Sequence, residues 1–170
     1  MRLEGKVALI SGGARGIGAA TAQLMAGEGA AVVIADVLEK EGMETEAKIS
    51  EAGGEVLFVR LDVTSEADWN AAVTATVTKY GKLDILVNVH GILRDRMLFN
   101  MSEEDWDGVV KVQLKGAFAT VKPASVITPH STSSVASLFA PAGLMTFSSI
   151  ITEPMSLAPN VNATCPTGGP

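Results

Sequence analysis

Ser11 to Gly18 reads SGGARGIG, with glycine at positions 12, 13, 16 and 18. A turn of that composition lets backbone N–H groups close on a phosphate that any β-carbon would hold away. Gly12, Gly16 and Gly18 take the three demanding places, the last allowing a following helix to pack close to a sheet. Asp36 stands at the end of the next apolar run, where a carboxylate can accept hydrogen bonds from an adenosine ribose. The same charge repels the extra 2′-phosphate of NADP, so NAD is the expected dinucleotide and NADP the less favoured one. Arg15, inside the turn, pulls weakly the other way, because a guanidinium can pair with that phosphate.

Such a turn works between a strand and a helix, and the chain supplies both. Val7 to Ile10 is a short apolar run, a helical stretch follows from Ile17 to about Glu28, and Ala31 to Ala35 reads as a second buried strand. That is one β-α-β unit. A polar helix from about Glu39 to Ala52 stops at Gly53 and Gly54, and Val56 to Leu61 makes a third strand. Ser65 with Asp68 resembles a capping box for a helix running to Tyr80, and Leu83 to Val87 supplies the fourth strand. Ser102 with Asp105 repeats the signal. Behind it, Trp106, Val109, Val110, Gln113 and Ala117 fall at helical spacing, which predicts an apolar face to bury. Strands alternating with helices predict an α/β fold, a doubly wound parallel sheet covered on both sides.

A chain of 170 residues with 47% hydrophobic content can bury one core of ordinary size. Its net charge of −6 argues against a nucleic-acid partner, which clustered Lys and Arg would favour. No apolar run has the length of a membrane-spanning helix, and no metal site is expected. Cys165, the single cysteine, cannot form an internal disulfide, and residues 1–20 lack an export layout, so a cytoplasmic setting is expected. The composition breaks near residue 122: all seven prolines lie beyond it, with Glu153 the only charged residue there. Residues 1–122 therefore read as a dinucleotide-binding core and 123–170 as a divergent Pro- and Ser-rich remainder of the same domain.

These residues together resemble the short-chain dehydrogenase/reductase family. Gly12, Gly16 and Gly18 match its TGxxxGxG pattern with Ser11 in place of Thr, LDVT at 61–64 places Asp62 as an adenine-contacting acid, and DILVN leads to Asn88. The match runs almost continuously from residue 3 to about 120. The resemblance implies a Rossmann-type sheet, a nicotinamide cofactor, interconversion of small-molecule alcohols and ketones, and homo-oligomers built through the long helices. It assigns cofactor contacts to Gly12, Arg15, Gly16, Ile17, Gly18, Asp36, Asp62, Val63, Asn88 and Gly91.

Departures from the family pattern follow. NNAG reads here as Asn88, Val89, His90, Gly91, which puts an imidazole where a methyl is usual and where it could crowd the cofactor. In a loop, a lone histidine is more often structural than catalytic. Gln113 stands where the family places an Asn. TSSVASLFAPAGLMTFSSII resembles the segment carrying the active-site Ser, then Tyr, then Lys one helical turn on. With Ser134 in the Ser place, Phe147 and Ile151 occupy those of the Tyr and Lys. Phe has no exchangeable proton and Ile no charge, so the alternative is a catalytically silent NAD-binding or subunit-interaction protein. The resemblance also predicts a sheet incomplete at its C-terminal edge, and a strand near VNATCP, 161–166.

Overall fold

The computed structural model describes residues 1–120 and two further strands within 134–151. The fold is built on β1 (Val7–Ser11), α1 (Gly16–Gly27), β2 (Ala31–Asp36), α2 (Glu39–Glu51), β3 (Val56–Arg60), α3 (Glu66–Tyr80), β4 (Ile85–Asn88), α4 (Glu103–Val109), β5 (Ser134–Phe139) and β6 (Thr146–Ile151). The sheet order is β3-β2-β1-β4-β5-β6. All neighbours run parallel except β5 and β6, which pair antiparallel with Ser134 opposite Ile151. The expected doubly wound α/β sheet is therefore present.

Why β1 and β2 sit at the centre is visible in their composition. VALIS is buried along its whole length and AVVIAD until its final Asp, as strands covered on both faces require. Successive side chains alternate between two cores. Leu9, Val33, Ala35 and Leu86 pack with Trp69, Ala72 and Val73 of α3 on one face. Ile10, Val32 and Ile34 pack with Ala22 and Ala26 of α1 and Ile49 of α2 on the other. Small alanines on α1 let it lie close to the strands.

Ser65 and Ser102 cap α3 and α4 as their sequence signals predict, each side chain accepting from the amide three residues on, at Asp68 and Asp105. Glycines end α2 and α3 in left-handed conformations, Gly53 at φ 84° and Gly81 at φ 79°.

Two elements differ from expectation. Helix α4 passes into a π-helical stretch, Val110–Lys115, before α-helix resumes over 116–120. Wider π turns rotate the face that helical spacing predicts. Beyond the stretch Gly116 and Thr120 turn inward, and Trp106, on the regular turn before it, is 57% exposed and not part of the buried face that the spacing predicts. Phe147 and Ile151, expected on a helix, lie on β6, whose TFSSII run pairs with SVASLF of β5. Their side chains and that of Ser134, with 161–166, lie outside the described residues.

Strand order reverses direction about β1. Its neighbours β2 and β4 are reached by connections on opposite sides, so their C-terminal ends part above a crevice.

Candidate functional site

Gly12 begins the turn at the end of β1, with φ 74° and its amide donating to Ala35 O at 2.8 Å. A Cβ there would stand 2.7 Å from His90 N, so glycine is required by the backbone leaving β4. A Cβ on Gly18 would collide with the Gly12 carbonyl, which is how α1 comes to start directly against the turn. Gly16 has φ 58° but open space around it, so only its backbone conformation favours glycine.

The start of α1 offers free donors. Arg15 is its N-cap residue, makes no side-chain cap, and no acidic side chain stands in the first turn. The first amides of a helix lack intrahelical acceptors and carry a positive dipole end, an arrangement suited to an anion.

Asp36 faces this turn from the end of β2. Its Oδ2 accepts from Ala14 N at 3.1 Å and its Oδ1 from Leu38 N at 3.2 Å. Each carboxylate oxygen has more than one lone-pair site, so the anchored group keeps acceptor capacity for ligand hydroxyls. The third wall comes from LDVT. Asp62 Oδ1 accepts from the Thr64 amide at 2.9 Å and hydroxyl at 2.8 Å. Asp62 N donates to Asp68 Oδ2 at 3.0 Å, and this bond, with Ser65 and Arg60, holds the Asp68 carboxyl below its usual range against partial desolvation. Trp69 Nε1 donates to Val63 O at 3.1 Å and so fixes the same turn from beneath.

These walls enclose a cavity of about 540 Å³. Of the residues assigned by resemblance, Gly12, Arg15, Gly16, Ile17, Gly18, Asp36, Asp62, Val63 and Gly91 line it. Asn88 does not: it is buried behind the turn, its Oδ1 3.0 Å from Ser11 Oγ. Val37, Leu38, Val89, Ile92 and Val112 also line the cavity without having been singled out, since apolar lining has no local sequence signature. Gln113 donates through Nε2 to Ile92 O at 3.3 Å and so braces the loop after Gly91.

His90 is held on several sides. Its Nδ1 is 2.7 Å from Ser11 Oγ, and its ring meets Trp69 edge-on at 6.4 Å. Burial lowers its pKa to about 4, against the opposing pull of a hydrogen bond to the Val112 carbonyl and of the Asp36 charge. The ring is thus neutral at neutral pH, donating at one nitrogen and accepting at the other. Assigning the ring proton to Nε2, toward the Val112 carbonyl, leaves Nδ1 as the acceptor facing the Ser11 hydroxyl. Ser11 has one proton, which Nδ1 then claims. Turning the Asn88 amide so that Nδ2 faces Ser11 satisfies the remaining contact, and gives a partner to a nitrogen otherwise buried without one. His90 therefore ties the glycine turn to the π-helical stretch. It also lines the cavity.

Comparison with known proteins places this geometry. A family described as short chain dehydrogenase matches residues 6–149. The 3-oxoacyl-[acyl-carrier-protein] reductase FabG of Thermotoga maritima is 49% identical over 119 residues, covering 69% of this chain and 48% of that protein. A 3-alpha-(or 20-beta)-hydroxysteroid dehydrogenase of Mycobacterium bovis is 44% identical over 126 residues, covering 72% and 47%. A crystal structure of a short chain dehydrogenase from Mycobacterium avium superposes with TM-score 0.72 at 36% identity, covering 75% of this chain and 49% of the other. The chain thus spans about half the length of the curated relatives it matches.

Proposed function

The chain belongs to the short-chain dehydrogenase family, and from that premise we propose that its cavity binds NAD and serves an oxidoreductase that moves a hydride between NAD and a small alcohol or ketone. The observation carrying this reading is the pairing of an uncapped α1 start with a doubly anchored Asp36 across one cavity. In this reading the amides of Gly16, Ile17 and Gly18 receive the diphosphate, Asp36 receives the ribose hydroxyls, and Asp62 and Val63 flank the adenine. Gly91 and the Asn88 strand end support the loop beside the nicotinamide, which when bound accepts or supplies the hydride. A 2′-phosphate would meet the Asp36 carboxylate, which favours NAD over NADP, with exposed Arg15 as the opposing influence.

Ser134 is proposed to hydrogen-bond the substrate oxygen, and Gln113, standing where the family places an Asn, to hold a water beside the site. The protein is proposed to be cytoplasmic and to form homo-oligomers through α4 and its continuation, where Trp106, Leu114 and Phe118 are all more than half exposed and fall at helical spacing. No helix among the described residues is long and apolar enough to cross a membrane. Residues 1–122 and 123–170 are taken as one domain because β5 and β6 continue the sheet of the first stretch.

One observation favours a second reading, a catalytically silent NAD-binding or subunit-interaction protein. Phe147 and Ile151, in the Tyr and Lys places, lie on a strand. Calorimetric titration with NADH and NADPH, alongside NADH turnover on a panel of ketones, tests both. NADH binding with turnover supports the enzyme, binding without turnover supports the silent form, and no binding overturns the cofactor assignment.

A further inference from the structure

Ala14 lies in the middle of the glycine turn, is 1% exposed, and has both backbone groups held. Asp36 takes its N–H, as described above. Its carbonyl is held from the opposite side by Thr45 of α2, whose Oγ1 donates at 2.8 Å. Thr45 is itself only 4% exposed. It belongs to the inward stripe of α2 with Gly42 and Ile49. Gly42 sets how near that helix can come, since a Cβ there would collide with the Phe58 ring. Thr45 is therefore carried to the turn by a closely seated helix and spends its only proton on the Ala14 carbonyl.

The Ala14 carbonyl shares a rigid peptide plane with the Arg15 N–H, so holding the oxygen fixes the direction of that amide. Arg15 opens α1, and Gly16 follows at positive φ. Without the Thr45 hydroxyl, this plane loses the bond that holds its oxygen; the Arg15 side chain makes no cap, and Gly13 and Gly16 on either side of the pair can absorb a small rotation.

We propose that Thr45 is a positioning residue for the anion-binding turn, holding the Ala14–Arg15 peptide from behind so that the amides at the start of α1 face a diphosphate. This rests on the cofactor reading given above. Thr45 touches neither cavity nor ligand and acts only through Ala14.

The test removes the hydroxyl with Thr45→Val and, as a second removal, Thr45→Ala. Thr45→Ser retains the hydroxyl. Thr76→Val is the control, because the buried Thr76 hydroxyl bonds Ala72 O at 2.7 Å within α3, away from the turn. NADH affinity by calorimetry and amide exchange of the segment 12–18 without ligand are read for each. Loss of one hydrogen bond predicts about five- to tenfold weaker NADH binding in the Val and Ala variants, and within about twofold of wild type in the Ser and Thr76 variants. Segment 12–18 should exchange faster in the same two variants only. Unchanged affinity or exchange in both hydroxyl-free variants, or an equal loss in Thr76→Val, overturns the proposal. Should wild type itself not take NADH, the cofactor reading falls, and the exchange comparison still decides whether Thr45 holds the turn.

Discussion

His90 and Gly116 fit one another: a Cβ on residue 116 would stand 2.9 Å from His90 Nε2. Glycine inside a helix ordinarily costs about 1 kcal/mol relative to alanine, so Gly116→Ala would stabilise most helices. Here the added methyl meets a ring that Ser11, Val112 and Trp69 hold in place. Gly116→Ala is expected to destabilise by about 1–3 kcal/mol, as overpacking does, and to become neutral or stabilising in a His90→Ala background. Urea denaturation of the four proteins in this cycle measures it, and additive effects would remove the coupling.

Burial of the same imidazole sets a pH dependence. Its pKa is about 4 folded against 6.5 unexposed to the fold, so between those values the unfolded chain binds the proton more readily. Stability therefore falls as pH drops from about 6.5 to about 4, by about 3 kcal/mol in total, and this contribution is flat outside that window. Replacing the imidazole by an untitratable amide, His90→Gln, should flatten this part of the profile. Denaturation midpoints at several pH values across the window check it, and an unchanged slope in the variant would assign the acid sensitivity to other groups.

Gly12 and Gly16 should respond differently to alanine although both have positive φ. At Gly16 nothing lies within 4 Å of a new Cβ, so the cost is conformational, about 1–2 kcal/mol. At Gly12 the same cost is joined by collision with the backbone of His90, which no rotamer change can relieve. Gly12→Ala should lose more stability than Gly16→Ala and distort the turn enough to abolish detectable NADH binding. Equal melting temperatures for the two variants would show that the β4 exit yields more easily than close packing implies.

Asp36 uses both oxygens to hold amides, Ala14 on one side and Leu38 on the other. Asn offers a single acceptor oxygen and no charge, so Asp36→Asn must release one amide. NADH affinity is expected to fall about tenfold, and if the Asp36 charge sets the proposed preference for NADH, its removal makes the NADH and NADPH affinities converge. Parallel titrations with both dinucleotides read the ratio. Retained discrimination would transfer it to another part of the cavity.

How much of this was legible in the sequence depends on how local each cause is. The caps at Ser65 and Ser102 could be read because an N-cap is decided within four residues. Strands β1 and β2 were equally plain, since burial on both faces leaves unbroken apolar runs. The Gly12, Gly16 and Gly18 spacing pointed to one turn because each glycine answers a backbone demand. His90 was not interpretable in this way. Its environment is assembled from three segments distant in sequence: Ser11 at the end of β1, Trp69 on α3, and Val112 and Gly116 on the continuation of α4. Thr45 had a faint signal, a hydroxyl on the same helical stripe as Gly42 and Ile49, but the carbonyl it serves is distant in sequence. Strand β6 was missed because the family pattern implies a helix there, whereas pairing with β5 decides the conformation.

That last difference determines what restoring the family residues can achieve. In a helix, residues four apart rise about 6 Å and lie on one face, which brings a Tyr and a Lys to the same ligand. On β6 the Phe147 and Ile151 backbones are separated by about 13 Å at strand rise, opposite Leu138 and Ser134 of β5. A Tyr hydroxyl and a Lys ammonium introduced there would lack the mutual spacing on which proton transfer and ribose binding by one pair depend. Phe147→Tyr with Ile151→Lys is therefore expected to leave ketone turnover at the level of the parent chain, while NADH affinity stays unchanged. Stopped assays of NADH consumption with a ketone panel check the first and calorimetry the second. Turnover appearing in the double variant would mean that this segment reaches a helical arrangement when the two side chains are supplied.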